Sequence, residues 1–174
     1  MLMKKVVTIV FWLVAGSALN AFSQCVIPAD LGVEVKENYP AWSIVTPEKL
    51  TRDDRATWKS LHPKKCPGLL EGKFLGAGSS FAVALVQQRA DKIREQVILL
   101  TLKDSGWDTV VLVPPRDLTI TNVLVKLPPG RYTSFDGAKK VKIDTDSIAV
   151  VQLEARASIL YWDGSQFRSI AWSY

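Results

Sequence analysis

The chain has 174 residues, with 22 Lys+Arg against 17 Asp+Glu, one His and two Cys. One His excludes a multi-histidine metal site, and two Cys exclude a Cys-rich zinc module. With 48% hydrophobic and 22% charged residues, the composition is that of a folded protein rather than a disordered tail.

Residues 1–24 read as a secretory signal peptide. Lys4 and Lys5 form a positive start, and Val6 to Ala15 is an almost unbroken apolar run before Gly16 and Ser17. Ala21 and Ser23 place small residues where a signal peptidase needs them to cut before Gln24. A membrane anchor needs about 20 uninterrupted apolar residues, and this run is about half that length. No stable membrane span is therefore expected after cleavage, and the expected location is periplasmic or secreted. Cys25 just behind the leader leaves a lipidated N-terminus as an alternative. Gln24 and Phe22 are poor neighbours for lipid attachment.

Loss of Lys4 and Lys5 lowers the net charge from +5 to +3. The remaining lysines form no dense block; Lys64-Lys65 and Lys139-Lys140 with Lys142 come closest. That distribution argues against a nucleic-acid partner. In an oxidising compartment, Cys25 and Cys66 are most simply a disulfide. Without a Cys-x-x-Cys spacing, a redox-active pair has no local signature.

Residues 25–174 read as one domain, mainly β with α+β as the alternative. A loop-and-helix lead-in over 25–68 precedes antiparallel, meander-like strands over 69–174. The lead-in carries Pro28, Pro40, Pro47, Pro63 and Pro67 and predicts loops with one short helix. Thr51 can cap that helix, Asp53 and Asp54 suit its positive end, and Pro63 limits it to about Ser60. Trp58 and Leu61, three apart, are expected to face the core.

Beyond Gly68, Phe81–Val86, Val97–Leu100 and Val110–Val113 are short apolar runs. They predict strands buried on both faces. Gln87–Gln96 between the first two is made of helix formers, so a helix competes there with a hairpin; the close flanking strands favour the hairpin. Val141–Asp144 and Phe167–Ile170 alternate, as half-buried strands do. Ser105-Gly106, Pro128-Pro129-Gly130 and Asp163-Gly164 mark turns, the last being the strongest hairpin signal.

Chemistry is sparse. There is no Gly-x-Ser-x-Gly elbow, no Ser-x-x-Lys pair and no phosphate-cradling Gly-x-x-x-x-Gly-Lys. His62 is the only imidazole a hydrolytic triad has to draw on, and its setting beside Pro63 reads as a surface turn. Asp144 and Asp146 are the paired acids that a glycan hydrolase would use, although Asp-Thr-Asp-Ser also reads as a polar turn. No catalytic residue, metal site or cofactor is assigned.

Gly72-Lys73-Phe74-Leu75-Gly76-Ala77-Gly78-Ser79-Ser80-Phe81-Ala82-Val83 resembles the start of an FG-GAP or VCBS-type repeat, a blade unit of integrin-like β-propellers. Gly72, Phe74, Gly76, Gly78, Ala82 and Val83 match that pattern. Lys73, Leu75, Ala77 and Phe81 occupy its acidic places, so the resemblance implies a strand–turn–strand unit without bound calcium. The wider layout, with its N-terminal Cys, Cys-Pro-Gly and closing Tyr-Trp-Asp-Gly, is similar to small exported bacterial proteins without an assigned activity.

The aromatic residues offer the best candidate contact surface. Trp42, Trp58, Trp107, Trp162 and Trp172 follow the leader. Tyr161, Trp162, Phe167 and Arg168 flank one predicted turn, and a shared exposed face there would suit a protein or glycan partner. The leading expectation is an exported, non-enzymatic binding module for a protein or envelope component. A hydrolase of envelope glycans and a purely structural envelope protein are the alternatives.

Overall fold

The computed structural model describes residues 25–173 apart from Glu154. The leader expected over residues 1–24 lies outside the described residues. The fold is mainly β and antiparallel, with two α-helices ahead of most of the strands.

The N-terminal part holds α1 (Ala29–Asn38), the two-residue strand β1 (Ser43–Ile44) and α2 (Arg52–Leu61). The single-helix expectation is corrected by α1. Its buried residues, Leu31 and Val35, are four apart, so one narrow face docks. The expected α2 is present, and the Thr51 side chain accepts from the Asp54 N–H at 3.1 Å. Trp58 is buried, but Leu61 is 54% exposed, which corrects its expected core position. Leu61 is the last residue of α2, where the chain already turns toward His62 and Pro63.

A five-stranded sheet contains β1, β2 (Leu69–Gly72), β3 (Ser80–Arg89), β4 (Lys92–Lys103) and β5 (Gly106–Leu118). The stretch 72–83 forms the end of β2, a turn and the start of β3, with Gly72 opposite Ser80. Gln87–Gln96 is a hairpin rather than a helix: Gln87 pairs with Arg94 and Arg89 with Lys92 across a two-residue turn. Strand pairing here overrides helix propensity. β5 is not buried on both faces as its apolar run suggested, because it is an edge strand with Val110 and Val111 exposed. Pro114 and Pro115 within it discourage further strand addition.

A four-stranded sheet has the order β11 (Phe167–Trp172), β10 (Arg156–Trp162), β9 (Ser147–Gln152), β6 (Val123–Leu127). A separate ribbon pairs β7 (Gly130–Thr133) with β8 (Lys140–Ile143). Asp163-Gly164 makes the β10–β11 turn, with Gly164 at φ 99°, where a side chain would be strained.

Three apolar clusters hold these parts together. The largest joins Ala82, Ala84 and Leu99 of the first sheet to Leu124, Ile148 and Leu160 of the second, with Trp58 packed against them. On the other face of the first sheet, Val83, Leu85, Ile98 and Leu100 meet Leu31 and Val35 of α1. The ribbon covers Ile159, Tyr161 and Ile170 with Tyr132, Val141 and Ile143. Cys25 and Cys66 form the expected disulfide, with their Cα atoms 4.7 Å apart.

Candidate functional site

The β10–β11 turn divides the expected aromatic patch. Tyr161 pairs with Arg168 and Trp162 with Phe167, and neighbouring pairs point to opposite faces. Tyr161 is buried against the ribbon. Trp162 and Phe167 stack edge-to-face at 5.4 Å. Phe167 also packs against the main core. Arg168 donates from Nε to Asp163 at 2.8 Å. The other Asp163 oxygen accepts from the Ser165 and Gln166 amides, each at 2.9 Å. Arg168 and these turn donors hold the Asp163 carboxyl well below the usual carboxylate range. The four residues therefore flank a hydrogen-bonded turn and do not share one exposed face.

The acidic pair is divided as well. Asp144 and Asp146 lie in the turn between β8 and β9. Asp144 forms an ion pair with Lys142 at 2.7 Å. Asp146 accepts from the Lys73 N–H at 2.9 Å, tying its turn to the one after β2. Both carboxylates are occupied with local structure.

A cavity of about 500 Å³ lies beside the disulfide and is lined in part by Cys66. This volume falls in the roughly 300–1,000 Å³ range of small-molecule sites. The C-terminal end of α2 supplies Trp58 and His62, the following turn Lys64 and Lys65, β2 Leu70 and Glu71, and β6 Leu124, Val125 and Lys126.

The walls are fixed by local bonds. The Trp58 indole Nε1–H donates to the Lys65 carbonyl at 3.0 Å, which ties the turn back onto the helix. The His62 ring lies 4.4 Å from that indole. His62 N–H continues the helix to the Trp58 carbonyl at 2.8 Å. The next residue but one, Lys64, has a left-handed backbone with φ 70°. That conformation is uncommon outside glycine and persists where surrounding structure enforces it. The disulfide and the Leu124 N–H bond to the Pro67 carbonyl (2.7 Å) anchor the far side of the turn.

The rim is cationic. Lys64, Lys65 and Lys126 are exposed. Glu71 is the one acid on the wall, and its Oε1 accepts from the Ser79 hydroxyl at 2.7 Å. Burial first, and then the Lys65 ammonium, push the His62 imidazole below its ordinary value. The sequence marked Lys64-Lys65 only as one of its closest basic pairs and gave Lys126 no role. Their convergence depends on β6 lying alongside the β2 region, which no local pattern encodes.

A second hollow of about 380 Å³ lies at the other end of the β10–β11 pair, bounded by Phe135, Arg156, Ala157 and Trp172 among others. Phe135 is 74% exposed, although its N–H is held by the Ala171 carbonyl at 3.0 Å. A single Phe in a polar turn gave no sequence signal. Among the described residues, no group of three His, Cys, Asp or Glu is arranged to hold a metal. No helix among them is long and apolar enough to cross a membrane. No family model, curated protein or solved structure matches the chain.

Proposed function

We propose that this protein is an exported, non-enzymatic binding module of the cell envelope, and that its ligand or partner is engaged at the cavity beside the disulfide. The observation that carries this reading is one hollow whose lining combines apolar residues with three exposed lysines, beside the Cys25–Cys66 bond. Apolar lining supplies affinity, and a few placed charges supply orientation. Export is supported by the leader pattern of residues 1–24 and is compatible with the disulfide.

The reading is tested on protein recovered from the periplasm. Intact mass is expected to show cleavage before Gln24 and a closed disulfide. Thermal unfolding is then followed with and without a soluble envelope extract. The extract is expected to stabilise the wild type but not Val26→Trp, because Val26 is an exposed cavity residue whose enlargement obstructs the hollow without touching the core. Retained leader, a diacylglyceryl group on Cys25, or equal stabilisation of both proteins contradicts it.

A further inference from the structure

Resting on the cavity as the binding site, we infer that its ligand is an anionic amphiphile: one apolar chain carrying a carboxylate or phosphate head. The lining includes the apolar side chains of Leu70, Phe81, Leu124 and Val125. Three lysines, Lys64, Lys65 and Lys126, belong to the same lining. None of the three forms an ion pair among the described residues, whose ion pairs involve Lys103, Lys142 and Arg168. The single wall acid, Glu71, is turned to Ser79.

This asymmetry decides the class of ligand. Like charges gathered around one hollow repel one another, and an anion seated among them relieves that repulsion. A cationic ligand would add to it. A small anion without a chain would leave the apolar lining in water, and a neutral chain would leave the lysines without a partner. An extended polyanion such as nucleic acid tracks a long basic surface stripe, and three lysines about one hollow do not make one. The disulfide contributes by fixing Cys66 on the wall, so the lysine-bearing turn next to it is held in place before the ligand arrives.

The test uses the processed, disulfide-bonded protein and defined probes at sub-micellar concentration. Decanoate and decyl phosphate represent the two sources of the anionic head. Decyltrimethylammonium keeps the chain and reverses the charge. Inorganic phosphate keeps the head alone, and hexaglutamate supplies negative charge without a chain. Binding is measured by calorimetry. At least one of the two anionic amphiphiles is expected to bind about tenfold or more tightly than the other three probes.

Lys126→Glu is expected to weaken that binding about five- to tenfold, with Lys140→Glu on the ribbon, outside the cavity lining, as the charge-matched control that leaves it unchanged. Both lysines are exposed, so the fold is retained. Equal binding of the cationic amphiphile, or full affinity for phosphate or hexaglutamate alone, overturns the inference. So does an equal response to Lys126→Glu and Lys140→Glu. If Val26→Trp still abolishes stabilisation by envelope extract in those cases, the cavity stands as a site and only the ligand class fails. If decanoate and decyl phosphate both fail to bind, the class is likewise wrong.

Discussion

The buried Glu95 carboxyl group is held at both oxygens by Asn122. The Asn122 backbone N–H donates to Oε2 at 2.9 Å and its Nδ2 to Oε1 at 2.6 Å. Glu95 belongs to β4 and Asn122 to the segment joining β5 to β6, so the pair fixes the passage from the first sheet to the second. Asn122→Ala removes one donor from a fully enclosed acid, at a cost of about 1–3 kcal/mol. In a domain of this size each kcal/mol lowers Tm by about 2–4 °C. Thermal unfolding of the variant is expected to show such a drop, and an unchanged Tm contradicts the anchoring role.

The same acid gives a pH dependence of known sign. Burial pushes the Glu95 carboxyl above its ordinary value; the Asn122 bonds and the Arg116 charge oppose this less strongly. The folded protein therefore keeps a proton that the unfolded chain has already released. Stability from this group is fully present below the unfolded value and is lost as pH rises through the folded one. Relative to Glu95→Gln, which does not titrate, the wild type is expected to gain stability as pH falls from above the folded value toward the unfolded one. A difference that stays constant with pH contradicts this account.

How much of this was legible in the sequence varies by element. The runs 81–86 and 97–100 are β-branched and continuous, and they are the central strands. Thr51 and the acids after it marked α2, and Asp163-Gly164 marked the last hairpin. α1 was illegible because only Leu31 and Val35 dock, while Gly32 and the exposed Val33 disguise the period. The arms of the β3–β4 hairpin were ambiguous because Gln, Arg and Lys favour helix locally, and only pairing between the strands decides otherwise. Glu95 gave no warning of burial, since its partner lies 27 residues on. The cavity was illegible for the same reason: Lys64 and Lys126 are brought together only by the packed fold.

Removing the disulfide tests its stapling role. The bond separates partners by 41 residues, and chain-entropy reasoning gives such a closure about 4 kcal/mol. The double variant Cys25→Ser, Cys66→Ser is expected to unfold at clearly lower urea concentration, with a slope no shallower than the wild type because the released unfolded chain exposes more surface. A midpoint equal to the wild type contradicts the stapling role.

Two glycines on either side of the disulfide region are expected to respond in opposite directions to Ala. A Cβ at Gly68 would stand 2.5 Å from the Val45 carbonyl oxygen and 2.8 Å from its nitrogen. The Gly68 carbonyl accepts from Ala84 N–H (2.9 Å) and Val45 N–H donates to the Ala84 carbonyl (3.0 Å), so neither backbone is free to withdraw. Gly68→Ala is expected to cost about 2 kcal/mol or more. At Gly32, inside α1, the nearest atom would be Ile27 Cγ2 at 3.8 Å. Gly32→Ala is expected to stabilise by about 0.5–1 kcal/mol. Urea unfolding of both variants checks the pair, and a reversed order of stability contradicts the close approach at Gly68.

The most direct measurement is a backbone amide NMR titration of the disulfide-bonded protein with decanoate. The account predicts that shift changes concentrate at His62–Glu71 and Leu124–Lys126. Changes centred instead on Phe135 and Trp172, or on the Trp162–Phe167 turn, would place binding elsewhere and contradict it.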